Sequence, residues 1–362
     1  MSGQYLIGLP VSQIPTPALV VDIEALMGNI ETMSNYLATV KMKIRPHAKT
    51  HKTPAIAHLQ MQAGAIGQCC QTIGEAEVMA YAGINDILVS SECVGESTIR
   101  RAVNLARHAK IMVIVDDLSN VRELSAAAKQ YGSNLDILVD LDVGQHRCGV
   151  RSLEQLVELA KTVDLSPGLT LRGVFGYAGH IQFIADCEER TKQNQEANAL
   201  LVQGAKAVAG AGLNVEIVSG SGTGSYDMAA EFPDLTEIQA GSYIFMDGTY
   251  QKLGLPFAQS LTVLAQVVSR PSADMAIFDV GMKGISTERF FPAVQGHEGA
   301  LTVQHLSEEH ATAQLHSGDL RLGDKLHFVP SHCCTTVNLY DYMYVTRKGI
   351  IEAVWPIAAR RA

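Results

Sequence analysis

From Lys43 onward, short apolar runs alternate with longer amphipathic stretches, and this alternation constrains the fold more than any other feature of the 362 residues. Eight runs read as strands: "KIR" at 43, "GQCCQ" at 67, "DILVS" at 86, "KIMVIVD" at 110, "LDILVDLD" at 135, "LRGVFGY" at 171, "VEIVSG" at 215 and "TEIQAG" at 236. Between most of them the apolar residues recur at three-to-four spacing, over 74–81, 96–107, 119–131, 153–162 and 190–211, as helices require. Eight βα units suit either a (β/α)8 barrel or a doubly wound sheet. The polar residues separate the two. "HAKTHK", "CCQT", "SSE", "DVGQHR", "YAGHIQ", "SGSGTGSY" and "AGSY" each follow a strand directly. A barrel gathers all such strand ends on one face, whereas an open sheet spreads them along a crevice. The expected class is therefore α/β, a TIM-like (β/α)8 barrel.

After Leu255 the texture changes. "SLTVLAQVVSR", "DMAIFDVG", "DKLHFVP", "LYDYMYVTR" and "GIIEAVWPIA" carry strand-like β-branched and aromatic residues with turn residues between them. This predicts a second, mostly β C-terminal domain, in keeping with a chain too long for one core. "ALVVDIE" at 18–24 is a strand open to either part. The expected division is a barrel over 23–255 and a β domain over 1–22 and 256–362.

Twenty-eight basic against 37 acidic residues give a net charge of −9, and the basic residues are scattered, which argues against nucleic acid or an anionic membrane as partner. A small molecule fits better. The N-terminus lacks a basic start followed by an apolar run, and no stretch approaches about 20 apolar residues. Seven cysteines, an odd number that includes the adjacent pairs Cys69-Cys70 and Cys333-Cys334, do not form a disulfide framework in a chain this long. The expectation is a soluble, cytoplasmic protein.

Two segments carry the chemistry of the barrel. In "IRPHAKTHKTP", Lys49 and Lys52 sit where a strand gives way to a loop, with Arg45, His47 and His51 crowding them. Two solvated lysines are the plain reading. The sharper one is that neighbouring cations and desolvation favour a neutral amine fit to form a Schiff base. In "VSGSGTGSYD" at 218–227, glycines let successive N–H groups line an anion cradle, and Ser221, Thr223 and Ser225 add hydroxyls, although a plain turn reads as well. Its place after the penultimate strand, with "AGSY" closing the next, favours phosphate, because barrels bind phosphate at their last two loops. An aldehyde held by a lysine at one end and a phosphate held at the other describe pyridoxal 5'-phosphate.

The chain resembles the pyridoxal-phosphate enzymes of alanine-racemase-like fold. Within them it resembles the D-threonine aldolase, 3-hydroxy-D-aspartate aldolase and D-serine dehydratase group. The resemblance rests on "TPALVVDIEALMGNI", "RPHAKTHK", "GQCCQTIGEAEVMAYAGINDILVS", "DVGQHRCGV", "VSGSGTGSYD", "IQAGSYIFMD", "PSHCCTTVNLYD" and "VWPIAARRA", in this order over nearly the whole chain. It implies Lys49 as the Schiff-base lysine, Arg147 near the cofactor's phenolic oxygen, and Tyr177 beside the ring. Gly222, Thr223, Gly224, Gly241 and Ser242 would hold the phosphate, with His47, Gln71, Ser221 and Tyr243 completing the cofactor site. In "PSHCC", His332 and Cys334, two apart on an extended segment, would point the same way. By themselves they read as a structural histidine and a buried cysteine. The resemblance makes them ligands of a divalent metal, with sulfur favouring zinc and carboxylate manganese or magnesium.

Two positions depart from the aldolase pattern. His-x-Cys stands where the aldolases have His-x-Asp, as in the D-serine dehydratases. Phe183 stands where the aldolases carry a histidine serving as base toward the β-hydroxyl, leaving His180 as a base or as a bland loop histidine. The expected reaction is retro-aldol cleavage of a D-β-hydroxy-α-amino acid to glycine and an aldehyde. The alternative is a D-serine or D-threo-3-hydroxyaspartate type of dehydration to an oxoacid and ammonia. A racemase or a non-catalytic pyridoxal-phosphate carrier follows further behind. Relatives are dimers, so a homodimer is expected.

Overall fold

The computed structural model of the chain describes residues 3–362. Residues 1 and 2, counted above into the β domain, lie outside the described residues. The chain divides into two compact units: one comprises the residues up to Met33, Thr50–Thr53 and Ser242–Arg361, and the other Ser34–Lys49, Pro54–Gly241 and Ala362.

In chain order the elements begin with strand β1 (Ala18–Asp22) and helix α1 (Ile23–Val40). The barrel strands are β2 (Lys43–Ile44), β3 (Gln68–Cys70), β4 (Asp86–Val89), β5 (Lys110–Val115), β6 (Leu135–Asp140), β7 (Leu169–Gly176), β8 (Ile217–Gly220) and β9 (Glu237–Ile238). The helices among them are α2 (Pro54–Gln62), α3 (Ile73–Tyr81), α4 (Glu96–Leu105), α5 (Leu118–Tyr131), α6 (Leu153–Asp164) and α7 (Cys187–Gly210). All eight strands expected from the sequence are present. They pair in parallel in the order β2-β9-β8-β7-β6-β5-β4-β3. The ring closes where the Cys69 amide donates to Pro46 O at 2.8 Å and His47 bridges to Cys69.

Parallel strands covered on both faces must be apolar on both, which is why "IMVIV" and "ILV" are unbroken apolar runs. Cys69, Leu88, Met112, Ile114, Leu138 and Phe175 pack together from successive strands, and their alternate neighbours are buried as well. Short polar caps start the helices. Thr72 Oγ1 accepts from Glu75 N before α3, Asp117 Oδ1 from Ser119 N before α5, and Ser152 Oγ from Gln155 N before α6. Gly173 is required in β7: at φ +145° a Cβ would lie 1.9 Å from Ile217 O of the neighbouring strand.

Arg45 does not add to the charge around Lys49 as expected. Its guanidinium, 2% exposed, is held by Glu237 (Nε–Oε1, 3.1 Å) and Asp86 (Nη1–Oδ1, 2.5 Å), the first residues of β9 and β4. The buried cation is thus committed to carboxylates at the strand starts, and it fastens the seam where the sheet closes.

The other unit is a mostly β assembly. Its strands are β1, β10 (Leu261–Ser272), β11 (Met275–Phe278), β12 (Ala293–Val294), β13 (Leu301–Leu306), β14 (Ala311–Leu315), β15 (Lys325–Val329), β16 (Tyr342–Arg347) and β17 (Ile350–Pro356), with one short helix, α8 (Cys333–Val337), before β16. Seven run in the order β13-β14-β11-β10-β1-β16-β17, and β15 pairs with β10 and β12. β1 joins this sheet, antiparallel to β10 and parallel to β16. Its core gathers Leu6, Ile14, Ala18, Val20, Leu264, Tyr344 and Ile351. The β13–β14 hairpin is absent from the strands read off the sequence. Its period-two pattern, with Leu301, Val303, Ala311, Ala313 and Leu315 buried, was masked by polar residues between small apolar ones.

Among the described residues no helix is long and apolar enough to cross a membrane.

Candidate active site

In the barrel unit, the chain leaves β2 through a single 3-10 turn, Ala48–Thr50, that carries Lys49. The half-buried Lys49 sets its Nζ 5.5 Å from the centroid of the Tyr177 ring, and Arg147 Cζ lies 5.9 Å from the same centroid. Among the described residues neither cation has a carboxylate partner. Two cations around one aromatic ring, neither in a salt bridge, make a place for an anionic, planar group. Backbone contacts hold the arrangement. The Lys49 amide donates to His47 Nδ1 at 3.4 Å, His47 Nε2 lies 3.1 Å from Ser90 Oγ, and Ser90 Oγ donates to Cys70 O at 3.2 Å. The loop that carries Arg147 is shaped by Asp142, whose Oδ1 accepts the amides of Gly144 (3.0 Å) and His146 (2.9 Å).

Gln71 is spoken for at the end of β4, where its Nε2 donates to Ser90 O at 3.3 Å and to Ser91 Oγ. His180 is the exposed residue of the turn Gly179–Ile181, with its ring beside Gly144, where a Cβ would stand 3.5 Å from Cε1. Burial of the ring, with the charge of His146, outweighs Asp142 and lowers its pKa below the usual 6.5, which favours the neutral, basic form.

The glycine-rich turn differs in detail from the expected cradle. Gly222 N donates to Ser225 Oγ within the loop (3.2 Å) and Gly224 N to Gln182 Oε1 outside it (2.8 Å), so both amides are already bonded. These glycines matter for what they lack: a Cβ on Gly224 would lie 2.3 Å from Gln182 O, and one on Gly222 2.7 Å from Gln182 Oε1. What the loop offers is Ser221, at φ +58° and 3% exposed, whose hydroxyl is buried without a hydrogen-bond partner. A buried orphan hydroxyl on a left-handed backbone is costly unless a ligand satisfies it. Uncommitted Lys49 and Arg147 and the orphaned Ser221 fit pyridoxal 5'-phosphate. Gly241 ends this unit.

Ser242 and Tyr243 belong to the other unit, where Ser242 Oγ lies 3.8 Å from Cys334 Sγ and the Tyr243 ring packs 5.6 Å from Phe257. His332 and Cys334 do not share an extended segment. His332 is the extended N-cap of α8 and Cys334 lies in its first turn, so the strand alternation invoked above does not apply. They meet nonetheless, with an imidazole nitrogen, Cys333 Sγ and Cys334 Sγ all within 4.8 Å of one another. Asp247, fully buried, holds His332 Nδ1 at 2.8 Å and accepts the Cys333 amide at 2.9 Å, which fixes the orientation of the ring beside Cys334. Burial opposes the charged ring, but the Cys334 sulfur and Asp247 push the His332 pKa up to about 10. Cys334 is held well below the usual thiol range by its hydrogen bond from Cys333 and, against burial, by the His332 charge. Its Sγ also lies 3.4 Å from the hydroxyl of Thr50, the residue after Lys49. A thiolate and an imidazole with its far nitrogen fixed by a carboxylate suit a divalent ion with some affinity for sulfur.

Two residues of this machinery escaped the sequence reading. Gln182, fully buried, grips the glycine loop through Gly224 N and Ser225 Oγ, and Asp247 orients His332. Each stands inside a motif already singled out, "YAGHIQF" and "IQAGSYIFMD", but a polar residue's partner across the fold leaves no mark in its neighbours.

Barrel, lysine-bearing strand end and appended β unit together define a pyridoxal-phosphate-dependent lyase of the alanine-racemase fold. The chain belongs to the family described as alanine racemase, N-terminal domain, which it matches over residues 21–249, and residues 260–346 match a putative serine dehydratase domain. It is 37% identical to a 3-hydroxy-D-aspartate aldolase of Paracoccus denitrificans (strain Pd 1222) and 38% identical to a D-threonine aldolase of an Arthrobacter species, in each case over 98% of this chain and 94% of the relative. The crystal structure of a D-threonine aldolase from Filomicrobium marinum superposes with a TM-score of 0.94 at 36% identity, covering 98% of both chains.

Proposed function

We propose that the chain cleaves D-configured β-hydroxy-α-amino acids to glycine and an aldehyde, holding pyridoxal 5'-phosphate on Lys49 and a divalent ion on His332 and Cys334. The observation that carries the lyase reading is the buried Asp247 that orients His332 beside a low-pKa Cys334, since a racemase or a cofactor carrier has no use for a metal donor pair. Likeness over the whole chain to the two aldolases puts aldol cleavage first.

When bound, the cofactor supplies an electron sink for the substrate's α-carbon. Lys49 anchors it and afterwards returns a proton to that carbon. Tyr177 offers a flat face between Lys49 and Arg147, and Arg147 balances negative charge on the cofactor's oxygen. The Ser221 hydroxyl donates to the phosphate. His180, whose pKa is lowered mainly by partial desolvation, takes the β-hydroxyl proton, whose acidity a divalent ion would raise.

Dehydration is the second reading, favoured by the His-x-Cys donor pair, by Phe183 in place of a histidine and by the matched serine dehydratase domain. In that case Lys49 removes the α-proton and hydroxide leaves. The discriminating experiment supplies the purified protein with pyridoxal phosphate, zinc or manganese, and D-threonine, D-serine or D-3-hydroxyaspartate. Glycine and an aldehyde are expected. Ammonia and an oxoacid would replace the aldolase by the dehydratase, and inertness toward all three would sink both. We further propose a cytoplasmic homodimer. The seven cysteines, all free, support a reducing compartment, and a sedimentation measurement giving a monomer would reject the dimer.

A further inference from the structure

A different set of residues in the barrel unit forms a third constellation. Glu92 follows β4, Asp116 follows β5 directly, and Cys148 lies on the loop after β6, so three successive strand ends contribute. One carboxylate oxygen from each acid and the Cys148 sulfur all lie within 4.8 Å of one another. The loop is folded to bring this about. Gly149, at φ +97°, packs where a Cβ would stand 2.5 Å from Asp142 N, and its amide donates to Asp116 Oδ2 at 3.0 Å. Val150 N then donates to Asp140 O at 2.9 Å, which pins the segment carrying Cys148 against the end of β6.

Two observations show that this cluster is poised to take a cation. Glu92 Oε1 is buried and has no hydrogen-bond partner. Asp140, last residue of β6 and only 5% exposed, has no hydrogen-bonded or ion-paired partner for its carboxyl among the described residues, and the charges it faces are those of Glu92, Asp116 and Asp142, opposed by Arg147 alone. Burial and these neighbours hold Asp140 well above the usual carboxylate range, and burial with Glu92 likewise raises the Cys148 thiol. Crowding Glu92, with its orphaned oxygen, and Asp116 close to the buried Asp140 is unfavourable without a cation and favourable with one.

We propose that Glu92, Asp116 and Cys148, backed by Asp140, form a second divalent-cation site that uses none of the His332 and Cys334 donors. Two carboxylates and a sulfur choose zinc over calcium or magnesium, and zinc binding releases the thiol proton to solvent. Ligands from the ends of β4, β5 and β6 would then be tied together on the same side of the barrel as the loop that carries Arg147.

The test counts zinc on the pyridoxal-phosphate-loaded protein after chelator stripping and dialysis at about 1 μM free zinc, an affinity near −8 kcal/mol. Native protein should retain two ions per chain, and the double variant His332→Ala/Cys334→Ala one. Cys148→Ser and Glu92→Gln, both near-isosteric, should each weaken one ion by about 10–100-fold and leave the other in place. Cobalt substitution gives a second readout. In the His332→Ala/Cys334→Ala protein a thiolate-to-cobalt absorption band should appear, and it should vanish on adding Cys148→Ser. A single ion in native protein, no ion in the His332→Ala/Cys334→Ala variant while it still binds the cofactor, or a cobalt band indifferent to Cys148→Ser would each overturn the proposal. Binding seen only at millimolar zinc would do the same.

Discussion

Replacing Arg45 by methionine removes the cation that joins β9 and β4 while keeping much of the side chain's volume. Its two partners feel the loss differently. Asp86, with its side chain 28% exposed, keeps Lys110 Nζ at 3.1 Å and remains solvated. Glu237, 1% exposed, keeps only the Ser219 hydroxyl at 2.8 Å and becomes a buried carboxylate without a counter-charge. Breaking a buried pair from one side costs about 3–5 kcal/mol. With about 2–4 °C per kcal/mol for a unit of some 200 residues, the midpoint of thermal unfolding should fall by roughly 6–20 °C. Adding Glu237→Leu should restore most of this, because the penalty lies in the stranded charge and not in the lost attraction. Circular dichroism on the cofactor-loaded protein, repeated in urea, measures both variants. Since the pair is buried, added salt should change the difference little. An Arg45→Met protein within about 1 kcal/mol of native, or a double variant no more stable than the single, would refute the assignment of Arg45 as the fastener of the closing seam.

The Ser221 hydroxyl, orphaned and buried, should donate to the cofactor's phosphate, and a hydrogen bond to a charged group contributes about 1.5–3 kcal/mol. Ser221→Ala should therefore weaken cofactor binding by about tenfold or more in an absorbance titration, and unchanged affinity would remove Ser221 from the site. His180 serves as base only when neutral, and its pKa lies below 6.5, so turnover should hold through neutral pH and fall as the solution is acidified past that value. His180→Gln should cost about 10²–10⁴-fold in kcat and abolish that acid limb, and a limb that survives the substitution would belong to another group.

The barrel was legible because parallel strands between helices must be apolar on both faces, so each appears as an unbroken run such as "IMVIV". The β13–β14 hairpin was not, because half of each strand is polar and its inward residues include Ala311 and Ala313, which carry little signal. At the site, the motifs read from the sequence pointed to Lys49 and the glycine turn, and the family resemblance added Arg147. It could not tell that Arg45 is consumed by Glu237 and Asp86, nor that the amides of Gly222 and Gly224 point to Ser225 and Gln182. Those are contacts between residues more than 40 positions apart in all but one case, and nothing local encodes them.

Which bond breaks turns on the β-oxygen, and two positions bear on it. Aldol cleavage needs a proton taken from that oxygen, whereas dehydration needs the oxygen to leave with its proton. Phe183 offers no base, and its neighbour Gln182 is locked by Ala178 O (3.2 Å), Ser225 Oγ (2.9 Å) and Gly224 N (2.8 Å), so the backbone that presents residue 183 is held from one side. Phe183→His would place an imidazole on that fixed backbone, where a positioned base contributes about 10²–10⁴-fold. Cys334→Asp would convert the donor pair to His-x-Asp and move its preference from zinc toward manganese or magnesium. With D-threonine as substrate, the ratio of glycine to ammonia should rise with Phe183→His alone and rise further, now with manganese, in the double variant. A ratio that stays fixed or falls in both would show that neither position sets the fate of the β-oxygen, and the choice of reaction would then rest with His180 and the groups around it.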